Sequence, residues 1–228
     1  MSTNAYKQAA AEAAVKLVEN GMVVGLGHGS TVQFALEALA ARLQAGELRD
    51  ITGIPCSQHT EAEATRLGIP LGKIEDYASI DLTLDGADEV DPALNLIKGG
   101  GGALLREKIV AQISQREVIM VDEGKLSDAL GRNFALPVEV LPFAIRQAQD
   151  FITRLGAEPR LRQRDGQPVL SDQGNYLLDC SFGPIDDAHT LARQLEGRAG
   201  IVEHGLFLEM TTDLFVAGAD GVRHRRRG

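Results

Sequence analysis

With 228 residues, 44% of them apolar, the chain can build one large domain or two modest ones around a sizeable core. Tryptophan is absent and aromatics reach only 4%, so Leu, Val, Ile and Ala must fill the interior. A formal net charge of -9 disfavours nonspecific binding to nucleic acid or to an anionic membrane, while leaving room for a local basic pocket.

Tyr6–Glu19 is alanine-rich with apolar positions at helical spacing, which predicts a helix stopped by Asn20–Gly21. Met22–Leu26 predicts a short buried strand, Gly27–Ser30 a turn and Thr31–Leu43 the next helix. Ile51–Pro55 reads as a strand and His59–Leu67 as a helix ending at Gly68. Ile80–Leu84 is a further strand running out at Asp85, and Leu104–Ser114 is a helix entered from four glycines. Val118–Val121 is an apolar strand leading into DEGK at Asp122–Lys125. Strand, glycine turn and helix in repeated order predict an α/β fold, whose parallel sheet gathers ligands beyond the carboxyl ends of its strands. Gly27, Asp85 and Asp122 stand just past such ends and are expected to converge.

The pattern then changes. Phe134–Val140 predicts a strand and Ala144–Leu155 a helix with Gly156 beyond its end. Leu161–Arg164 and Val169–Ser171 flank DGQP, a hairpin signal, and Tyr176–Cys180 is another strand. Asp186–Leu195 predicts a helix with an acidic cap near Ile185–Asp187. This order predicts a small α+β domain over 132–203, set within a domain of 1–131 and 204–228. Ile201–His204, Leu206–Glu209 and Leu214–Ala217 are expected as short strands returning to the first domain, and the basic tail Arg223–Arg227 as a solvated or disordered end. Cys56 and Cys180 are too few for a disulfide framework, and no CxxC metal pair exists. Without a signal-peptide core or an apolar run near the roughly 20 residues of a membrane span, a cytoplasmic location is expected.

Three segments carry chemistry. GLGHGST at Gly25–Thr31 gives an open backbone entering a helix, with Ser30 and Thr31 as caps and hydroxyl donors; it suits a phosphate, and read alone it equally suits ordinary turn and capping duty. No GKS/T follows, so a nucleotide P-loop is disfavoured. His28 in this turn is either a donor to a ligand or neutral filler. DGADEVD spaces Asp85, Asp88 and Asp91 three residues apart, which fits a hard-cation set, a pair binding sugar hydroxyls, or a solvated acidic loop. Lys98 precedes Gly99–Gly102, a run costly in backbone entropy and explained either by close approach to a ligand or by flexible linkage. Glu107, between Arg106 and Lys108, is either a surface residue or a general base, with Lys98 stabilising oxyanion charge. Lys125 can pair with a phosphate, and Lys7 is a weaker choice for the same role.

The ordered set resembles the type A ribose-5-phosphate isomerase family. GHGST at Gly27–Thr31 matches the family's phosphate and sugar loop, with His28 where threonine is usual. DGADE at Asp85–Glu89, Lys98–Gly101 with Arg106–Lys108, and Asp122, Glu123 and Lys125 match its other motifs; GPI at Gly183–Ile185 and HGLF at His204–Phe207 extend the likeness. The resemblance implies a Rossmann-like three-layer catalytic domain with a smaller ferredoxin-like α+β domain. It implies reversible isomerisation of D-ribose 5-phosphate to D-ribulose 5-phosphate through an enediol or enediolate, in the non-oxidative pentose phosphate pathway, with neither metal nor cofactor. Glu107 is then the base, Asp85 and Lys98 assist ring opening and handle oxygen-centred charge, and Asp88 holds the sugar. Lys7, His28, Gly29, Ser30, Thr31, Gly86, Ala87, Gly99, Gly100, Gly101 and Lys125 complete the substrate shell. A homodimer or tetramer is implied, with no nucleic-acid or membrane partner. The rival of a different class is a sugar-phosphate sensor domain of a transcriptional regulator, which would lack the base.

Overall fold

The computed structural model describes residues 2–228. The chain runs α1 (Thr3–Val15), β1 (Val23–Leu26), α2 (Ser30–Gln44), β2 (Thr52–Pro55), α3 (Gln58–Arg66) and β3 (Leu82–Asp85). Two short strands, β4 (Glu89–Val90) and β5 (Leu96–Ile97), precede α4 (Leu104–Gln112) and β6 (Glu117–Asp122). There follow β7 (Leu136–Val140), α5 (Ile145–Arg154), β8 (Glu158–Leu161), β9 (Gln163–Arg164), β10 (Gln167–Pro168), β11 (Tyr176–Ser181) and α6 (Ala188–Glu196). The last elements are β12 (Ile201–His204), β13 (Leu206–Phe207), β14 (Asp213–Gly218) and β15 (Gly221–Arg226).

Contacts divide the chain into two units. The first takes the chain up to Ala87, Arg106–Lys125 and Met210–Gly228; the second takes Asp88–Leu105 and Leu126–Glu209. The second unit is therefore larger than the contiguous 132–203 segment expected from sequence. The β4–β5 hairpin pairs with β13, so both join it. Likewise β12 pairs with β7 instead of returning to the first unit; only β14 and β15 return.

The first unit is built on a six-stranded sheet of order β15-β14-β6-β3-β1-β2, parallel except for the antiparallel edge strand β15. All six residues of β6 are buried, as a strand covered on both faces requires. In α2, Val32, Ala35, Leu36, Leu39 and Ala40 recur at helical spacing and are buried with α1 residues Ala10, Ala11 and Ala14 against Leu82, Leu84, Val118 and Met120. Small alanines let the helices lie close to the sheet.

The basic tail is solvent-exposed, as expected, but it is ordered as β15 and not a disordered end. Its partner strand explains why. Asp213 on β14 is fully buried and accepts from Arg116 Nη2 (3.0 Å), from the Thr212 hydroxyl (2.8 Å) and from His224 Nε2 (2.8 Å), while the His224 ring stacks on Phe215 at 4.1 Å. Burial pushes the Asp213 carboxyl upward, but hydrogen bonds from Arg116, Thr212 and His224 outweigh it and hold the group below the usual carboxylate range.

The second unit carries a four-stranded antiparallel sheet of order β12-β7-β11-β8 with α5 and α6, the ferredoxin-like order. Its core holds Leu136, Val138, Val140, Ala148, Ile152, Leu178 and Leu195. Asp187 caps α6 by accepting from Thr190 N–H at 2.9 Å, as the sequence led one to expect. The DGQP hairpin turns at Asp165 and Gly166, both at positive φ, and pairs only Gln163–Arg164 with Gln167–Pro168. Val169–Ser171 is not its second strand. Ser171 is drawn instead to the buried Glu139, whose Oε1 accepts from Ser171 Oγ (2.7 Å) and Asn175 Nδ2 (2.8 Å).

Candidate active site

The first unit's sheet reverses its order between β1 and β3, since β2 lies on one side of β1 and β3 on the other. A ligand crevice is expected beyond the carboxyl ends of those two strands. Gly27 leaves β1 there and donates to Leu84 O at 3.0 Å. A Cβ on Gly27 would collide with the Asp85 carboxylate, so glycine is what lets that carboxylate lie against the turn. Asp85 Oδ1 accepts from the N–H groups of His28 (3.1 Å) and Gly86 (2.7 Å), and the residue is buried at the end of β3. Ala87 lies half-buried two residues on.

Gly29 has φ +111° and ψ 178°, a conformation essentially reserved for glycine, and α2 starts directly after it with no side-chain cap. Ser30 and Thr31 are thus the first helical residues and not caps, which corrects the capping role assigned from sequence. The first-turn N–H groups of α2 are therefore not satisfied by a capping side chain, an arrangement that attracts anions. Lys7 on α1 donates to Ser30 Oγ at 2.9 Å, adding positive charge at this helix end.

His28 is tied into the scaffold by residues that sequence reasoning passed over. Its Nδ1 lies 2.9 Å from Ser57 Oγ, which lies 2.9 Å from Thr60 Oγ1, which donates to Gly27 O at 2.7 Å. The Nδ1–H tautomer completes this chain. The signal available was the Ser57-x-x-Thr60 spacing at a helix start; Ser57 does cap α3 through Thr60 N–H. Glu107 sits in the first turn of α4 and is 4% exposed, which rules out the surface reading. A helix's first turn favours a carboxylate. Lys125 is half-buried in the single turn Glu123–Lys125 after β6, closed by Asp122 Oδ1 accepting from Gly124 N–H at 3.0 Å.

In the second unit Lys98 is 2% exposed, with its ammonium 5.3 Å from the Phe207 ring centroid and its N–H donating to Gly205 O at 2.9 Å. The glycine run that follows is no flexible linker. Gly102 N–H donates to Gly99 O (3.0 Å), and Gly100 N–H donates to Asp88 Oδ2 (2.7 Å). Gly101 is exposed at the tip of the turn. The three carboxylates read as a cation set do separate work. Asp91 accepts from the Asn95 backbone (2.8 Å) and side chain (3.1 Å) to close the β4–β5 turn, and among the described residues no group of three His, Cys, Asp or Glu side chains is placed to hold a metal. Glu89 of the DGADE segment is a brace, accepting from Gly131 N–H (2.7 Å) and Asn133 N–H (2.9 Å).

Fold and site together define an α/β enzyme-like protein whose switch point offers an uncapped helix start, a lysine and buried carboxylates. The family model for ribose 5-phosphate isomerase A (phosphoriboisomerase A) matches residues 52–221. Ribose-5-phosphate isomerase A of Chloroflexus aurantiacus is 57% identical over 224 residues, 98% of this chain and 94% of that protein. The counterpart from Desulfatibacillum aliphaticivorans is 55% identical over 99% of this chain and 98% of its own length. Among solved structures, a D-ribose-5-phosphate isomerase in complex with phospho-erythronic acid is 36% identical, with a TM-score of 0.97 and full coverage of both chains. The enzyme from Plasmodium falciparum is 38% identical with a TM-score of 0.95, covering 98% of each chain. The chain belongs to the ribose 5-phosphate isomerase A family.

Proposed function

We propose that this protein interconverts D-ribose 5-phosphate and D-ribulose 5-phosphate as an enzyme of the pentose phosphate pathway. The reading is carried by one observation: the Asp85 carboxylate is fixed against the open turn before α2, in a chain alike along its whole length to proteins named as this isomerase. Isomerisation requires that the aldehyde form be released from the ring, that a proton leave C2, and that one arrive at C1.

In our reading the substrate phosphate takes the α2 N-terminus with Ser30, Thr31, Lys7 and Lys125. Asp85 accepts the anomeric hydroxyl proton as the C1–O4 bond breaks, and the ring oxygen O4 is protonated in return to become the C4 hydroxyl. Glu107 then removes the C2 proton, leaving an enediolate whose negative oxygen is stabilised by Lys98. Return of the proton from Glu107 to C1, with the O2 proton passing to O1 as the C2 carbonyl forms, yields the ketose. Asp88 and the Gly99–Gly101 run bound the sugar hydroxyls. A homodimer is part of the same proposal, rejected by a monomer at all concentrations in sedimentation. The expected setting is the cytoplasm; among the described residues no helix is long and apolar enough to cross a membrane.

The test is NMR of purified protein with ribose 5-phosphate in deuterated water, with arabinose 5-phosphate alongside as the stereochemical control. Ribulose 5-phosphate with deuterium at the exchanging carbon is expected; no turnover of the ribose compound rejects the function. Glu107→Gln should fold normally and lose about 10²- to 10⁴-fold in kcat, the usual contribution of a general base. Normal turnover by that variant would remove Glu107 from the role.

A further inference from the structure

The loop that follows Lys98 is gripped by a side chain outside every motif named above. Arg162 is the single residue between β8 and β9, and its own backbone is pinned by Arg162 N–H to Leu177 O (2.8 Å) and Val169 N–H to Arg162 O (2.9 Å). Its Nη1 lies 3.0 Å from the carbonyl oxygens of both Gly99 and Gly100. Its Nε and Nη2 donate to Asp179 Oδ2 (3.0 Å) and Oδ1 (2.5 Å) on β11. The two Nη1 protons match the two carbonyls, and the opposite edge of the fork matches the carboxylate. Asp88 holds the same turn through the Gly100 N–H.

This grip has a mechanical consequence. Lys98 is anchored before the turn by its N–H on Gly205 O, and the residues after it have no side chains to restrict them. Gly99 and Gly102, at φ +106° and +88°, hold conformations that a glycine chain readily leaves. Both carbonyls that Arg162 binds belong to this stretch; Gly99 is buried, but Gly100 is exposed, so water can take the place of the guanidinium at the Gly100 carbonyl. The loss would be in position, not in fold.

We propose that Arg162, oriented by Asp179, is a positioning residue: it fixes the Gly99–Gly100 backbone and through it the placement of the Lys98 ammonium that stabilises the enediolate. The inference rests on the isomerase reading above. Lysine cannot substitute, because a single ammonium lacks the planar fork that serves two carbonyls and a carboxylate together.

Arg162→Ala, Arg162→Lys and Asp179→Asn are compared with wild type by thermal melting, steady-state kinetics with ribose 5-phosphate, and amide hydrogen exchange at Gly100–Gly102. Arg162→Ala is expected to melt cooperatively and to lose roughly 10- to 100-fold in kcat, the scale of an ångström-level misplacement, with KM changed by less than about threefold. Exchange should accelerate at Gly100–Gly102 and stay unchanged in β6. Arg162→Lys should fail to restore kcat. Wild-type kcat in a folded Arg162→Ala, or full restoration by lysine, overturns the proposal. If Arg162→Ala does not fold, Asp179→Asn decides: reduced kcat with faster loop exchange supports the role, and wild-type values of both reject it. If the wild-type protein does not convert ribose 5-phosphate, the functional reading fails, while the exchange data still report whether Arg162 holds the loop.

Discussion

Two glycine-rich turns in this molecule look interchangeable on paper and are opposites in structure. In the first unit, Gly27 and Gly29 open a turn whose His28 N–H is taken by Asp85, while the start of α2 is left without a capping side chain. In the second unit, the turn after Lys98 has three of its backbone groups occupied by side chains: Gly100 N–H by Asp88, and the Gly99 and Gly100 carbonyls by Arg162. In our reading the first receives an anion from outside, and the second is a clamped support for Lys98 that also borders the sugar. Glycine content permits close approach in both cases, but the backbone groups left over decide what approaches.

The largest effect is expected at Gly27. Gly27→Ala drives a methyl into the Asp85 carboxylate, and we expect about 1–3 kcal/mol of lost stability, as for overpacking elsewhere. Turnover should fall by about 10²-fold through displacement of Asp85, measured by denaturant melts and steady-state rates. A fully active, fully stable variant would mean that the turn has room it does not show.

The phosphate assignment of the first turn is sharpened by Lys125→Ala, which should raise KM for ribose 5-phosphate by about 10-fold, the worth of one charge-assisted hydrogen bond. An unchanged preference for phosphorylated over unphosphorylated sugar would reject it. Gly100→Ala probes the second turn. Its methyl would stand 2.7 Å from Asp88 Oδ1, the far end of a side chain able to rotate, so the expected loss is about 1 kcal/mol with kcat reduced several-fold and KM little altered. A KM effect without a kcat effect would make contact with the sugar, and not the placement of Lys98, the main duty of this turn.

Asp213 lies at the amino end of β14, at the opposite end of the sheet from the first turn, and serves as the control. Its carboxyl is held below the usual range, so its contribution to stability is present above about pH 4 and is lost as pH falls through the depressed folded value. Asp213→Asn should flatten the acid limb of stability in denaturant melts while leaving turnover at neutral pH unchanged. A steep acid limb in the variant would assign that limb to other carboxylates.

Much of this was legible in the chain. The alternation of buried strands with helices, the apolar β6 and the acidic cap of α6 follow from periodicity and capping chemistry, which act over a few residues. The motif set around Asp85, Lys98 and Glu107 was legible as a family likeness, although Ser30 and Thr31 were assigned the wrong local duty. What escaped is non-local. The β4–β5 hairpin is two residues per strand and carries no periodic signal; it exists because β13, more than a hundred residues later, pairs with it. The order of the basic tail is likewise invisible until Asp213 and Phe215 are seen opposite Arg226 and His224.

Backbone freedom at glycine and side-chain chemistry are local properties, so the places where the chain can turn and the residues able to carry charge into a site are readable from residue order. What each polar group binds is set by the folded chain. Glu89 became a brace, Glu107 a buried carboxylate, and Arg162 a donor to loop carbonyls 62 and 63 residues away. Hydrogen-bond partners are chosen by proximity in space, and the packing of distant strands sets that proximity.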